Sequence, residues 1–250
     1  MNKKKIIKVT IATFVILGIM LLCGKHYMYT HGLSGEYVNE KVKDGQIKVA
    51  CIGDSITYGH GVEDWEKNNY PAQLQQLLGD AYHVANFGSS GACLNPNGDQ
   101  PYVNREIYQE SLEYDADILV VMLGTNDAKA QNWVSADDFV MEYLSFLHNY
   151  YTEEKTPKVY IALCSEAYYT EEADTSTGVA GFDVQPAIID EIASSLSNGL
   201  PICDCGLKVN GVIDIHSLTE AHPEWFEADG IHPNADGAKA IAELVADAIR

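Results

Sequence analysis

Continuous apolar runs alternate with amphipathic segments along most of this chain. Four runs have the length and composition of buried strands, namely 47–52, 82–87, 118–123 and 158–164. Between and after them, apolar residues recur at helical spacing in the segments 71–78, 136–150 and 238–249. Strands that lack a polar face are expected where helices cover both sides of a parallel sheet. The pattern therefore predicts an α/β domain.

The fifth strand is ambiguous in the sequence. The segments 200–203 and 211–215 both have strand-like composition. A parallel sheet needs only one of them, so we expect the other to be an added edge segment. The segment 168–182 is rich in Thr, Glu, Gly and Ala, which predicts a long surface loop near the carboxyl edge of the sheet.

The first 24 residues differ from the rest of the chain. Four lysines, at positions 3, 4, 5 and 8, precede or enter an apolar stretch at 9–23, which is typical of an export or anchor segment. No Ala-x-Ala-like cleavage site follows, which favours an uncleaved signal anchor over a signal peptide, although a spanning helix needs about 20 apolar residues. We predict an anchor or signal peptide at 1–24, a tether at 25–44 and a domain at 45–250. The lysines orient the amino end inward, so this domain is expected outside the cytoplasm, membrane-anchored or secreted.

Charge and cysteine content exclude some classes of partner. The net charge is −20, and residues 1–25 contribute five lysines and no acid, so the remainder is more acidic still. Such a domain is repelled by phosphates and anionic headgroups, which argues against nucleic acid and leaves the N-terminal segment as the only predicted membrane contact. Cys51 and Cys164 lie in strand-like runs, while Cys203 and Cys205 are candidates for a disulfide. No Cys-x-x-Cys or His-Glu-x-x-His motif occurs, so neither a metal nor a cofactor is predicted.

Ser55 is the candidate nucleophile. It follows the first strand-like run through Gly53 and Asp54, which places it at the carboxyl edge of the sheet. The glycine permits a sharp turn. If a helix begins directly afterwards, the free N–H groups of its first turn face whatever binds at the hydroxyl, which favours a developing oxyanion. The alternative is that Asp54 and Ser55 form only a turn or a helix N-cap.

Asp229 and His232 are the candidate orienting acid and base. They lie three residues apart in a loop that contains Gly230 and ends at Pro233. This spacing allows the carboxylate to accept from Nδ1–H of the imidazole and leaves Nε2 free to take the proton of a serine. The amphipathic segment 238–249 follows, so the loop is attached to a rigid element.

Asn126 and Gly88 are candidate oxyanion donors, through a side-chain amide and a backbone N–H respectively. Each comes at the end of a strand-like run, where open α/β sheets collect their functional groups. The alternative for both positions is that they only make turns.

Four islands in fixed order resemble the SGNH hydrolases, also called the GDSL lipase and acylhydrolase superfamily. The islands are 53–55, 86–88, 124–127 and 229–233. The residues for which the family is named match Ser55, Gly88, Asn126 and His232. The resemblance extends over residues 47–250.

This resemblance implies a three-layer α/β/α flavodoxin-like fold with a five-stranded parallel sheet. It implies Ser55 as nucleophile, His232 as base and then acid, and Asp229 as the group that orients His232. The implied oxyanion donors are the N–H groups of Ser55 and Gly88 and the amide of Asn126.

Ser90 is a competing nucleophile. The sequence Gly88-Ser89-Ser90-Gly91-Ala92 approaches the Gly-x-Ser-x-Gly elbow of the α/β-hydrolases, with alanine in the last position. Only one clear strand precedes this one, whereas that fold places its elbow after several strands. Ser55 would also be left without a role.

The neighbourhood of the motifs narrows the expected substrate. The segments 52–59, 69–71, 86–88, 124–133 and 222–224 resemble a bacterial subgroup of carbohydrate or sialate O-acetylesterases. This implies acylated carbohydrates or other small acylated molecules as partners. Two alternatives remain: a lysophospholipase or thioesterase with a long acyl groove, and a wall-associated binding module with a decayed site. The complete set of nucleophile, base, orienting acid and donors argues against the second.

Overall fold

The computed structural model describes residues 3–33, 39–168 and 185–250. Five strands in these ranges form one sheet: β1 (Ile47–Gly53), β2 (Tyr82–Gly88), β3 (Ile118–Met122), β4 (Lys158–Ala162) and β5 (Val209–Ile213). All neighbours are parallel, in the order β2-β1-β3-β4-β5. The predicted α/β class and the five-stranded parallel sheet are confirmed. The predicted loop at 168–182 lies outside the described residues except for Tyr168.

Only one of the two candidate segments for the fifth strand joins the parallel sheet. β5 begins at Val209, two residues before the candidate at 211–215. The segment near Pro201 instead runs antiparallel to Lys208, with the Ile202 N–H donating to the Leu207 carbonyl at 2.8 Å. Proline has no N–H to give to a ladder, so it suits this short hairpin at the edge.

Nine helices accompany the sheet in the described part of the chain. They are α1 (Lys3–Thr30), α2 (Ser55–Tyr58), α3 (Trp65–Asn68), α4 (Tyr70–Leu78), α5 (Glu106–Glu113), α6 (Ala136–His148), α7 (Gln185–Ser195), α8 (Ile215–Thr219) and α9 (Ala235–Ile249). The helices predicted at 71–78, 136–150 and 238–249 correspond to α4, α6 and α9. Asn69 caps α4 by accepting from the Ala72 N–H at 2.9 Å, and Pro71 lies in its first turn.

Helices cover both faces of the sheet. Leu119 and Val121 of the middle strand β3 pack with α5, α6 and α7, whereas Val120 and Met122 pack with α4 and α9. All four side chains are fully buried. Because successive residues of a strand point to opposite faces, β3 must be apolar throughout. The three-layer α/β/α arrangement is confirmed.

The strand order fixes where a site is expected. The chain passes from β1 to β2 on one side and then crosses to β3 on the other side of β1. At such a reversal, the connections leave a crevice at the carboxyl ends of the strands, where open α/β sheets bind their ligands. The residues that directly follow β1 and β3 therefore line the candidate site.

The N-terminal helix α1 is 28 residues long and ends at Thr30, six residues beyond the predicted segment 1–24. In the part of the chain that the structure describes, no helix combines the length and apolar character needed to cross a membrane. The division into anchor, tether and domain stays a prediction.

Gly53 provides the first test of the architecture, because a Cβ at this position would overlap the Thr57 side chain and lie 2.7 Å from the Met122 carbonyl oxygen. We expect Gly53→Ala to lower the free energy of unfolding by about 1–3 kcal/mol and to displace Ser55. Urea unfolding measures this change. Gly24→Ala is the control, because nothing lies within 4 Å of a Cβ there and its φ is not positive. Equal stability of the two variants would contradict the prediction.

Candidate active site

Ser55 is the first residue of α2, directly after β1. Asp54 is the N-cap, and its Oδ1 accepts from the Ile56 N–H at 2.9 Å. The N-cap interpretation of this turn therefore holds for Asp54, whereas the Ser55 hydroxyl makes a long-range contact. Ser55 is half-buried, so its hydroxyl is reachable from the crevice.

The loop before α9 carries Asp229 and His232. Its two arms are joined by an antiparallel bridge between Phe226 and Pro233 and by a 2.8 Å hydrogen bond from the Glu227 N–H to the His232 carbonyl. Asp229 Oδ1 accepts from the His232 N–H at 3.0 Å. These bonds fix the backbone of His232 and therefore the position from which its imidazole extends.

The structure brings the three predicted residues together. His232 Nδ1 lies 2.6 Å from Asp229 Oδ2, and His232 Nε2 lies 2.9 Å from Ser55 Oγ. A carboxylate only accepts, so Nδ1 of the imidazole carries the donated proton. In the neutral ring, Nε2 is then the acceptor for the Ser55 hydroxyl. This geometry matches a nucleophile, a base and an orienting acid.

Asp229 is held in its ionised form. Burial would raise the pKa of its carboxyl, but the hydrogen bond and charge of His232, with the N–H groups of His232 and Ile231, overcome this and lower the pKa to about 2. The group is thus a carboxylate throughout the neutral range, as orienting an imidazole requires.

Asn126 also reaches this cluster. It opens a short turn just after β3 and is 5% exposed. Its Nδ2 donates to the Ala92 carbonyl at 3.1 Å and, over a longer 3.3 Å, to Asp54 Oδ2. The amide therefore lies beside the residue that precedes the nucleophile.

The backbone donors differ in availability. The Gly88 N–H already donates to Asn86 Oδ1 at 2.9 Å. By contrast, the N–H groups of Ser55 and Gly91 make no hydrogen bond to any residue that the structure describes. The sequence analysis did not consider Gly91 as a donor. Gly91 precedes Ala92, whose carbonyl accepts from the Asn126 amide, and this contact is what draws attention to the Gly91 N–H. The predicted role of Gly88 stays a prediction.

The neighbourhood of Ser90 lacks the features of a nucleophile elbow. Ser90 is exposed, and no helix follows it directly; the chain instead forms a loop closed by a bridge between Cys93 and Pro101. An elbow needs a strand-turn-helix geometry and a base within reach. His232 contacts Ser55 instead.

Asp127 joins the loops after β2 and β3. Its side chain is 1% exposed and accepts from the Leu94 N–H at 2.9 Å and the Asn95 N–H at 2.8 Å. Asn132 Nδ2 donates to the Asn126 carbonyl at 2.9 Å, and Asn95 donates to the Asn132 carbonyl at 2.7 Å. This network supports Asn126 from behind. Sequence reasoning missed it, because its partners come from different loops.

One group of possible metal ligands occurs among the described residues, outside this cluster. The ligand atoms of His148, Cys203 and Cys205 lie within 4.8 Å of one another. Cys203 and Cys205 form a disulfide, so neither sulfur is a thiolate. A metal needs the thiolate form, so these residues do not make a metal site as they stand.

Comparison with known proteins identifies the family of this chain. Residues 51–240 match the model of the GDSL-like lipase/acylhydrolase family. The chain belongs to this family. The matched range spans the positions of Ser55, Gly88, Asn126 and His232.

A curated relative gives a finer comparison. The chain is 34% identical over 213 residues to an acetylxylan esterase of Xylanibacter ruminicola, a match that covers 83% of this chain. The chain spans only 44% of the length of that relative.

Solved structures share the fold. A carbohydrate acetylesterase family member from Sinorhizobium meliloti is 21% identical with a TM-score of 0.61, over 82% of this chain and 98% of that one. The aryl esterase of M. smegmatis is 18% identical with a TM-score of 0.58, over 82% and 98%. The lipase/acylhydrolase from Enterococcus faecalis is 20% identical with a TM-score of 0.56, over 82% and 95%.

Asp127 gives a pH-dependent prediction. Burial raises the pKa of its carboxyl to about 6, although the Leu94 and Asn95 N–H groups oppose the change. The folded protein thus holds this proton more tightly than the unfolded chain. The associated stability is complete below about pH 4 and is lost as the pH rises through about 6.

Relative to Asp127→Asn, which cannot titrate, the wild-type protein should lose about 3 kcal/mol of unfolding free energy between pH 4 and pH 7. Urea unfolding at several pH values measures this difference. Asp137→Asn, at an exposed position on α6, serves as the control. A wild-type to Asp127→Asn difference that does not change with pH would refute the assignment.

Proposed function

We propose that this protein is a serine esterase that hydrolyses short-chain O-acyl esters, specifically O-acetyl esters of carbohydrates. The observation that carries the proposal is the pair of contacts made by His232. Its Nε2 lies 2.9 Å from Ser55 Oγ, and its Nδ1 lies 2.6 Å from Asp229 Oδ2. A non-catalytic binding module would have no need of this alignment.

The reaction begins with attack of Ser55 Oγ on the ester carbonyl carbon while His232 Nε2 takes the hydroxyl proton. The tetrahedral intermediate collapses as the C–O bond to the alcohol breaks, and His232 returns the proton to the leaving alcohol oxygen. An acyl group then remains on Ser55. A water molecule, deprotonated by His232, attacks this acyl-enzyme and releases the carboxylic acid, which restores the Ser55 hydroxyl. Asp229 stays ionised and stabilises the imidazolium in both halves of the reaction.

The negative oxygen of each tetrahedral intermediate needs donors that are already in place. We assign this role to the Ser55 N–H and the Asn126 amide. The amide exchanges its long 3.3 Å contact with Asp54 for the oxyanion. The Gly88 N–H has to leave Asn86 Oδ1 before it can help, whereas the Gly91 N–H has no such partner among the described residues. We therefore expect Gly88 to contribute less than its place in the motif implies.

The proposed substrate class rests on relatives and on charge. The curated relative is an acetylxylan esterase, which supports acetyl groups on a polysaccharide as the first substrate to test. The net charge of −20 disfavours anionic lipid surfaces and polyanionic substrates. Long-chain acyl substrates remain the alternative outcome of the test.

We further propose that the enzyme works outside the cytoplasm. The four lysines that precede or enter an apolar stretch support this location. The disulfide between Cys203 and Cys205 also supports it, because such bonds persist in oxidising compartments. Accessibility of the protein to an added protease on intact cells tests the location.

Replacement of the nucleophile tests the mechanism. We expect Ser55→Ala to lower kcat for p-nitrophenyl acetate by roughly 10⁴ to 10⁶, because no other group forms the acyl-enzyme. His232→Ala should cause a loss of similar size. The matched control is Ser90→Ala, which should keep most of the activity. The opposite pattern, with Ser90→Ala inactive and Ser55→Ala active, would move the nucleophile to the loop after β2.

Acyl-chain preference tests the substrate class. The full-length protein should hydrolyse p-nitrophenyl acetate much faster than the decanoate, without added metal and with no effect of EDTA. It should also release acetate from acetylated xylan or another acetylated carbohydrate. Ser55→Ala is the control for background hydrolysis. A preference for esters of eight carbons or more would support the lysophospholipase or thioesterase alternative and leave the triad in place.

A further inference from the structure

His60 lies against the proposed base, although no motif singled it out. The rings of His60 and His232 pack at a centroid distance of 4.7 Å with an angle of 49° between their planes. His60 lies two residues after the end of α2, and its N–H donates to the Ser55 carbonyl at 2.9 Å. The backbone of His60 is thus bound to the nucleophile while its ring touches the base.

The segment that carries His60 is covered by residues 29–32, which we call the N-terminal arm. The His31 carbonyl accepts from the Gly61 N–H at 2.7 Å. Tyr29 packs edge-on against Trp65, with ring centroids 6.4 Å apart, and its hydroxyl donates to Glu66. The arm therefore contacts the segment that directly follows His60.

Gly32 makes the closest approach in the arm. It is buried at φ +62°, and a Cβ there would lie 2.8 Å from the Gly59 carbonyl oxygen and 3.2 Å from Trp65 Cγ. Only glycine fits this combination of backbone angle and contact without strain. The arm thus packs directly against residues 59–65.

We infer that the N-terminal arm and His60 together position the catalytic base: the arm fixes the loop that carries His60, and the His60 ring fixes the plane of the His232 imidazole. This inference rests on the proposed function, since it takes His232 as the base. His60 acts through His232 and is a positioning residue.

The physical need for such a residue follows from the geometry of His232. Two hydrogen bonds, from Nδ1 to Asp229 and between Nε2 and Ser55 Oγ, fix the two nitrogens of the imidazole but leave rotation of its plane about the line through them restricted only by packing. An aromatic face at 4.7 Å blocks that rotation. A small misplacement of a reacting group, about 1 Å, costs on the order of 10²-fold in rate.

The charge environment suits a neutral His60. Burial, and then the charge of His232, lower the pKa of His60, while Asp229 and the Gly32 backbone oppose the change. Glu227 lies beside these groups at Gly61, and burial followed by the charge of Asp229 raises its pKa. A neutral ring packs against His232 without repelling the imidazolium that forms during the reaction.

The first experiment compares His60→Ala with His60→Phe in the full-length protein, using p-nitrophenyl acetate. We expect His60→Ala to lower kcat roughly tenfold with KM changed less than about twofold, since the loss affects the base and not substrate binding. His60→Phe should restore most of kcat, because it keeps the ring. Unchanged kcat in His60→Ala, or no recovery in His60→Phe, would overturn the inference.

A spectroscopic readout separates positioning from the esterase proposal. The proton between His232 Nδ1 and Asp229 should give a downfield proton NMR resonance that is sharp in the wild-type protein and in His60→Phe. In His60→Ala it should broaden, because the ring is no longer held. If Ser55→Ala keeps full activity, the proposed function fails, and this resonance still tests positioning. If Ser55→Ala is inactive and the resonance is unchanged in His60→Ala, only the positioning role fails.

The second experiment tests the arm through a matched pair of glycines. Gly32 and Gly45 both have positive φ, at +62° and +83°, but nothing lies within 4 Å of a Cβ at Gly45. The two alanine variants thus share backbone strain and differ in contacts. We expect Gly32→Ala to lower kcat several-fold and Gly45→Ala to leave it unchanged, with a cooperative thermal transition well above the assay temperature confirming that both variants fold.

The double variant Gly32→Ala with His60→Ala should be no less active than His60→Ala alone, because both changes remove the same support. Additive losses, or equal kcat in Gly32→Ala and Gly45→Ala, would show that the arm does not act through His60.

Discussion

The hydrogen bond between Ser55 and His232 is the interaction on which the site depends, and it joins residues 177 positions apart in the chain. The position of Ser55 is fixed by β1, the strand that precedes it and that lies between β2 and β3 in the sheet. His232 is fixed by the loop before α9, which packs against α4 and the apolar face of the sheet. A distance of 2.9 Å between two such elements requires that the whole core holds them in register. Close packing makes this possible, because a dense interior allows few alternative positions.

Around this bond, buried polar groups tie together the loops that follow β1, β2 and β3. Burial raises the pKa of Asp54, although the Ile56 N–H and the charge of His232 oppose the change, so its ionised form is expensive to bury. Asp127 carries a similar cost and binds two backbone N–H groups of the loop after β2. These buried carboxyl groups are tolerated because each accepts hydrogen bonds from a loop at the site and so holds that loop in place. The hydrogen bonds to these loops thus offset part of the free-energy cost of desolvating the carboxyl groups.

Most of the fold could be predicted because its signals are local. Unbroken apolar runs mark strands covered on both faces, and the cap and proline at Asn69 and Pro71 mark the start of α4. The choice of β5 could not be made, since two segments of similar composition compete and only pairing with β4 separates them. The predicted availability of the Gly88 N–H ignored Asn86, which accepts from it at 2.9 Å. Local sequence does not show which neighbour takes a hydrogen bond.

The sequence by itself determined the residue types needed for ester hydrolysis, their order and their places at the ends of strands, because strand ends and tight loops leave short-range patterns. Only the tertiary structure decided which groups meet. It placed His232 against Ser55, gave the N-cap role to Asp54, and packed His60 against His232 and residues 29–32 against the segment that carries His60. These contacts depend on how distant segments pack against a common core. Their free energies arise between residues far apart in the chain, so no local pattern records them.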